Sequence, residues 1–247
     1  MNSISGEGDA TGDLSVLIII PAFNEAQSLP GLIDQLTRLY PRFDIVVIDD
    51  GSTDATAEAV RRTRRRLVSL PCNLGIGGAM QTGFSIARDE GYDIAVQVDG
   101  DGQHPPDQVQ LLVDAIAQSG CDVVIGSRFL SGGGYQSTLT RRLGILFFST
   151  CLTALCRTRI TDATSGFRAM NRRAIELLSR EYAEDFPEVE AILVSHGASL
   201  RVCEVPVRMS VRSVGISSIS RLRSISYMVK VSLAILMWYI RKRRASR

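Results

Sequence analysis

Asp99 and Asp101 stand two residues apart at the end of an apolar run, Ile94 to Val98 (IAVQV), with no Lys or Arg close in sequence to pair either carboxylate. A hard cation would satisfy them. Mg²⁺ or Mn²⁺ held by one or two carboxylates, with phosphate oxygens completing the shell, is the usual arrangement where nucleotides react. The competing reading is a solvated turn, because DG pairs are common turn formers. Asp49 and Asp50 end a second apolar run, Ile45 to Ile48 (IVVI). Adjacent carboxylates repel unless one accepts a hydrogen bond, and a nucleotide offers donors in uracil or guanine N–H groups and ribose hydroxyls. Capping of the following helix by residues 50 to 54 can hold at the same time. Asn73, Gly75, Gly77 and Gly78 give a backbone able to approach phosphate before a helix, at neither Walker A nor dinucleotide spacing. His104, beside Pro105, reads as a turn-stabilising hydrogen bonder more readily than as a base.

These side chains need a frame. Val16 to Ile20 (VLIII), Ile45 to Ile48, Ile94 to Val98 and Val123 to Ile125 are short β-branched runs, the pattern of strands buried on both faces. Helical spacing of apolar residues predicts helices over Ala26 to Tyr40, Asp54 to Arg66, Gly77 to Glu90 and Asp107 to Ser119, with Ser52, Thr53 or Asp54 as cap of the second. Alternation of this kind implies an α/β fold, a mainly parallel sheet covered by helices. Ligands of such sheets collect outside the carboxyl ends of the strands, and the polar motifs fall there: PAFNE, DDGSTD, NLGIGGAM and DGDGQH. After Gly126 the alternation gives way to a Gly-rich loop (Ser131 to Gly134), an apolar stretch from Leu143 to Cys156 and a mixed region, read as acceptor territory.

The 247 residues, 45% apolar and 22% charged, fit one compact domain and exclude disordered, collagenous and repeat classes. The net charge of +2 is unevenly placed: ten Lys or Arg and no acid follow Glu204. Such a basic end on an acidic body suggests an anionic partner for the tail, and nothing points to nucleic acid. Five cysteines without a CxxC pair or a nearby His exclude a zinc site and predict reduced thiols in a cytosolic setting. The polar first dozen residues lack signal-peptide order, so residues 1–13 read as a flexible tail.

The ordered set PAFNE, DDGSTD, NxGxGGA and DGDGQHPP over Val16 to Arg128 resembles family 2 glycosyltransferases of the GT-A fold. GSRF (Gly126 to Phe129), TSGFRAMNR (Thr164 to Arg172) and EVPVRMSVRSVGISSI (Glu204 to Ile219) resemble the dolichol-phosphate mannosyltransferase branch and its bacterial polyprenyl-phosphate relatives. The resemblance implies that Pro21, Ala22, Asn24, Glu25 and Asp50 line the nucleotide, with Asn73 and Gly77 close by. Asp99, Asp101 and Gln103 would then hold the metal and diphosphate, Arg128 and Arg212 would face phosphates of donor or acceptor, and Ser217 takes the serine place of a GxS motif. Ser218 stands where relatives often carry Lys. The expected activity is transfer of a sugar from a UDP- or GDP-linked donor to polyprenyl or dolichyl phosphate with inversion, using Mg²⁺ or Mn²⁺.

Two alternatives share the motifs: transfer to a hydroxyl of a glycan or glycolipid, and a non-catalytic sugar-nucleotide-binding subunit. A hydroxyl acceptor needs a base, for which Glu184, Asp185, Glu188 and Glu190 are candidates, whereas a phosphate monoester is already anionic and needs cations to place it. Arg141 and Arg142 are further cations of that kind, or simply a solvated helix start. The boundaries expected are 14–220 for the GT-A domain, divided into a nucleotide-sugar half (14–128) and an acceptor half (129–220), and 221–247 for a C-terminal amphipathic helix and basic tail. Only Ser232 interrupts the apolar run from Val231 to Ile240, and RKRR follows. Ten helical residues span about 15 Å, half of a bilayer core of about 30 Å. An interfacial helix on an anionic membrane surface, at its cytoplasmic side, is therefore expected, with Trp238 and Tyr239 at headgroup level. Docking of that helix on its own domain is the competing reading, and a separate transmembrane partner or a homo-oligomer is compatible with either.

Overall fold

The computed structural model describes residues 14–130, 139–183 and 187–209, and positions 232, 233, 235, 237 and 238. The four predicted strands form as β1 (Val16–Ala22), β2 (Asp44–Asp49), β4 (Ile94–Gln97) and β5 (Val123–Ser127). Three more complete the sheet: β3 (Arg66–Ser69), β6 (Arg168–Asn171) and β7 (Val202–Pro206). Between them run α1 (Leu29–Leu39), α2 (Thr56–Arg62), α3 (Gly75–Asp89), α4 (Val109–Ser119), α5 (Leu139–Cys156), α6 (Arg172–Leu178) and α7 (Pro187–Gly197).

The strand order is β3-β2-β1-β4-β6-β5-β7. β1 pairs in parallel with β2 and β4, whereas β6 runs antiparallel between β4 and β5. Alternate residues of each strand feed opposite faces of the sheet. Leu17, Ile19, Val46 and Ile48 pack with Met80 and Phe84 of α3, Phe148 and Leu152 of α5, and Ile192 of α7. Ile18, Ile20, Ile45 and Val47 pack with Leu32 and Leu36 of α1, Val60 of α2, and Leu112 and Val113 of α4. The result is a three-layer α/β/α body whose switch point, where the chain turns to opposite sides of the sheet, lies between β1 and β4. PAFNE and DGDGQH emerge at that crevice.

Several expectations need correction. The second helix ends at Arg62 rather than Arg66, because the run RRTRRR offers nothing apolar to bury; Arg64 takes a left-handed turn (φ 58°) and Leu67 and Val68 join the sheet beside β2. The cap position of α2 is Ala55, although Asp54 still accepts the Thr56 N–H at 2.9 Å. The cysteines are not all reduced: Cys121, just before β5, and Cys203, within β7, are 82 residues apart and joined by a disulfide. Sequence spacing carries no sign of that proximity.

Of the C-terminal segment, Ser232, Leu233, Ile235, Met237 and Trp238 are helical. Ile235 is buried in the core and Trp238 packs against it, while Leu233 and Met237 are exposed. The indole read as a headgroup anchor thus has protein on one side, with the His196 ring 6.2 Å away. No helix among the described residues is long and apolar enough to cross a membrane.

α3 lies so close to β1 that a Cβ on Gly83 would sit 2.3 Å from Ile19 Cγ2. Gly83→Ala should therefore destabilise the protein by about 1–2 kcal/mol, overpacking outweighing the gain in helix propensity. Urea unfolding of the two proteins reads the difference.

Candidate active site

The loop after β1 is stitched to the loop after β2. Asn24 adopts a left-handed conformation (φ 57°), and its Oδ1 accepts from the Thr53 N–H at 2.9 Å and the Asp54 N–H at 3.3 Å. Ser52 Oγ accepts the Asn24 N–H in return, and Thr56 Oγ1 accepts that of Glu25. PAFNE and DDGSTD are therefore one structural unit. Pro21 and Ala22 are buried at the end of β1, in register with Ile48 and Asp49.

The two acids ending β2 have separate duties. Asp49 accepts from Ser52 N–H and Ser69 Oγ–H, which ties the turn to β3. Asp50 is buried and accepts the Leu74 N–H at 2.7 Å, so it sits against the start of α3. Burial raises its carboxyl above the ordinary range; the Leu74 and Gly75 amides oppose that shift and Asp49 adds to it. Asn73 caps its own turn through Gly75 N–H, and Gly77 is buried in the first turn of α3.

At the end of β4, Asp99 Oδ1 accepts from Gln97 Nε2 at 3.1 Å, and the Asp99 N–H donates to His104 Nδ1 at 2.9 Å. His104 is thus placed as the turn-stabilising hydrogen bonder. Asp101 accepts from the backbone N–H of Gln103 at 3.0 Å and from its side-chain amide, leaving Oε1 as the Gln103 atom suited to a cation. Among the described residues no group of three or more His, Cys, Asp or Glu side chains converges on a metal position. Two carboxylates and one amide oxygen are nevertheless a hard-oxygen set of the kind that takes Mg²⁺ or Mn²⁺ when diphosphate and water complete the shell. The chemistry of the donor set fits the group.

Arg128, expected to face phosphates, is 7% exposed and forms a two-pronged pair with Asp162: Nε to Oδ2 and Nη2 to Oδ1, each 2.6 Å. Nη2 also donates to Thr164 Oγ1 at 2.9 Å. Asp162 is held in turn by Glu204 of β7, whose carboxylate accepts the N–H groups of Thr161 and Asp162, each at 2.9 Å. Arg212 and Ser217 lie outside the described residues, as do Glu184 and Asp185.

The sequence alone gives no role to Arg168 or Tyr182 and leaves Glu188 as one of four candidate bases. Arg168, buried in β6 opposite Gln97, donates to the carbonyls of Ser165 and Ala163. Glu188, half-buried in the first turn of α7, has its carboxyl raised by burial and by Asp99, while Arg168 and Arg128 pull it down. The same burial, with Glu188 and Asp99 nearby, raises the Tyr182 hydroxyl. The signal for Arg168 was present in TSGFRAMNR; nothing local distinguished Glu188 from its acidic neighbours.

Asp162→Ala leaves a buried guanidinium uncompensated and should cost about 3–5 kcal/mol in urea unfolding. The raised Glu188 carboxyl means that, above its ordinary value of 4.5, the folded protein holds a proton the unfolded chain has released, so stability falls as pH climbs toward the raised value. Glu188→Gln should flatten that slope and stabilise the protein at neutral pH, as denaturant midpoints across the acid-to-neutral range will show.

Comparison with known proteins places this geometry. The family model "Glycosyl transferase family 2" matches residues 17–178. A polyprenol monophosphomannose synthase of Mycolicibacterium smegmatis is 31% identical over 83% of this chain and 80% of its own. An undecaprenyl-phosphate mannosyltransferase of Micrococcus luteus is 32% identical over 84% and 88%. The fold matches that of glucosyl-3-phosphoglycerate synthase from Mycobacterium tuberculosis, solved with Mn²⁺, uridine diphosphate and phosphoglyceric acid (TM-score 0.71, 21% identity, 92% of this chain and 79% of that one). The seven-stranded sheet with helices on both faces is a GT-A fold, and the chain belongs to glycosyl transferase family 2.

Proposed function

We propose that the protein is an inverting transferase that moves a sugar from a UDP- or GDP-linked donor to polyprenyl or dolichyl phosphate with Mg²⁺ or Mn²⁺ as cofactor. The observation that carries this reading is the gathering of Asp99, Asp101 and the stitched Asn24–Asp54 loops at one switch-point crevice. The two mannosyl relatives are named for polyprenol and undecaprenyl phosphate, which supports the acceptor, and the structural neighbour's Mn²⁺ and uridine diphosphate support the donor side.

In this reading Pro21, Ala22, Asn24, Glu25, Asp50, Asn73 and Gly77 line the nucleotide, and Asp99, Asp101 and Gln103 hold the cation. A bound divalent cation supplies charge neutralisation for the departing nucleoside diphosphate. The phosphate of the acceptor attacks C1 of the sugar as an anion and needs no proton removed. Arg212 and Ser217 are assigned to the phosphates. Arg128 is assigned to the same phosphates, with its guanidinium oriented by the pair with Asp162. Residues 14–128 then serve as donor half and 129–220 as acceptor half, with residues 221–247 working at the cytoplasmic surface of an anionic membrane.

Glu188 favours a second reading, transfer to a hydroxyl. Its carboxyl, raised by burial with Asp99 adding to the shift, has the character of the base such an acceptor requires.

Incubation with labelled UDP- and GDP-sugars and polyprenyl phosphate, followed by organic extraction, tests both. Asp101→Ala is expected to lower the rate of label extraction by about 10²–10³-fold, the scale of losing one electrostatic stabiliser. Full turnover in that variant would defeat the metal-dependent mechanism. Glu188→Gln should leave transfer to lipid phosphate largely intact, whereas loss of about 10²–10⁴-fold would favour the hydroxyl reading.

A further inference from the structure

Three residues, two from β4 and the turn after it and one from the segment before β6, converge on one carboxylate. Gln97, in β4 and 1% exposed, donates Nε2–H to Asp99 Oδ1 at 3.1 Å, while its Oε1 is buried with no hydrogen-bond partner among the described residues. A carboxylate only accepts, so the amide cannot flip to relieve that orphan without turning oxygen on oxygen. A buried acceptor of this kind is costly, so the Gln97 amide orientation is set by its bond to Asp99.

His104, 3% exposed, lies flat on Phe167 with ring centroids 4.8 Å apart. Its Nδ1 accepts the Asp99 N–H at 2.9 Å, which leaves the ring proton on Nε2, and Nε2 faces Asp99 Oδ2 at 3.5 Å. Gly166 closes the third side: a Cβ there would lie 2.9 Å from Gln97 Nε2 and 3.0 and 3.1 Å from the two Asp99 oxygens.

We propose that Gln97, His104 and Gly166 are positioning residues that clamp the Asp99 carboxylate in one orientation before any ligand arrives. The clamp rests on the reading of Asp99 as a donor-site acid and adds how that acid is prepared. Outer partners of this kind fix the direction of a ligating oxygen and remove the cost of ordering it at binding.

The test uses the full chain and two probes, Mn²⁺ alone followed by the paramagnetic signal of the free ion, and UDP or GDP added with Mn²⁺ and followed by calorimetry. Gln97→Leu removes one donor. His104→Phe keeps the stack on Phe167 and removes both ring nitrogens. Each should weaken Mn²⁺-dependent nucleotide binding about 10–100-fold with the melting temperature little changed. Gly166→Ala should do the same by pressing on the carboxylate. His104→Asn, whose amide oxygen can accept the Asp99 N–H, should recover part of the loss, which a merely structural role would not predict. Binding at wild-type strength in both Gln97→Leu and His104→Phe overturns the clamp. If one of them does not fold, the other together with Gly166→Ala decides in the same way. Asp99→Asn separates the two levels: if it abolishes binding while the clamp variants bind normally, only the clamp falls. A wild-type protein that takes up neither Mn²⁺ nor nucleotide removes the donor-site reading and the clamp with it.

Discussion

The buried pair between Arg128 and Asp162 is the interaction on which the rest of the site depends. A guanidinium and a carboxylate taken out of water are tolerated only when each is fully engaged, and here both prongs close at 2.6 Å, with Thr164 Oγ1 accepting from the guanidinium and the Arg128 backbone N–H donating to the carboxylate. The pair anchors residues 161–168 across the end of β5, and that segment delivers Gly166 to Asp99 and Arg168 to β6. Glu204 secures the turn from the far side through Thr161 and Asp162. Two acids, Asp162 and Glu204, and one cation, Arg128, thereby join β5, β6 and β7 to the end of β4.

The site keeps a strict division between charge that builds and charge that acts. Asp49 and Asp162 are used within the protein, one on Ser52 and Ser69, the other on Arg128. Asp50 and Glu188 carry raised carboxyls because burial penalises their ionised forms. Arg168 counters part of that penalty at Glu188 while spending its own donors on backbone carbonyls.

Much of this was legible before any coordinates. β1, β2, β4 and β5 are continuous β-branched runs, and buried parallel strands advertise themselves in that way. The motifs at their ends were found because Asn, Asp and Gly cluster where loops turn. What could not be read depends on distance across the fold. Arg66 to Ser69 belongs to an edge strand with little buried, so a helix reading overran it. β6 is four residues long and begins with an arginine, and its strand character comes from pairing with β4 and β5 on both sides. That Arg128 is held by Asp162, 34 residues away, has no local sign, and Glu188 differs from its neighbours only through burial and charges brought near by the fold. The disulfide is the same lesson at a separation of 82 residues.

The antiparallel placement of β6 has a bearing on how the chain acquires its shape during synthesis. β4 and β5 are not neighbours; each needs β6 to cover one edge, and β6 is not made until residue 171 has left the ribosome. A nascent chain ending near residue 130 would hold two hydrophobic strands with open hydrogen-bonding edges, the species most prone to wrong pairing with other chains. The stretches before and after residue 130 are therefore partners in one cooperative folding event, and cutting the gene between them would yield neither as a stable product.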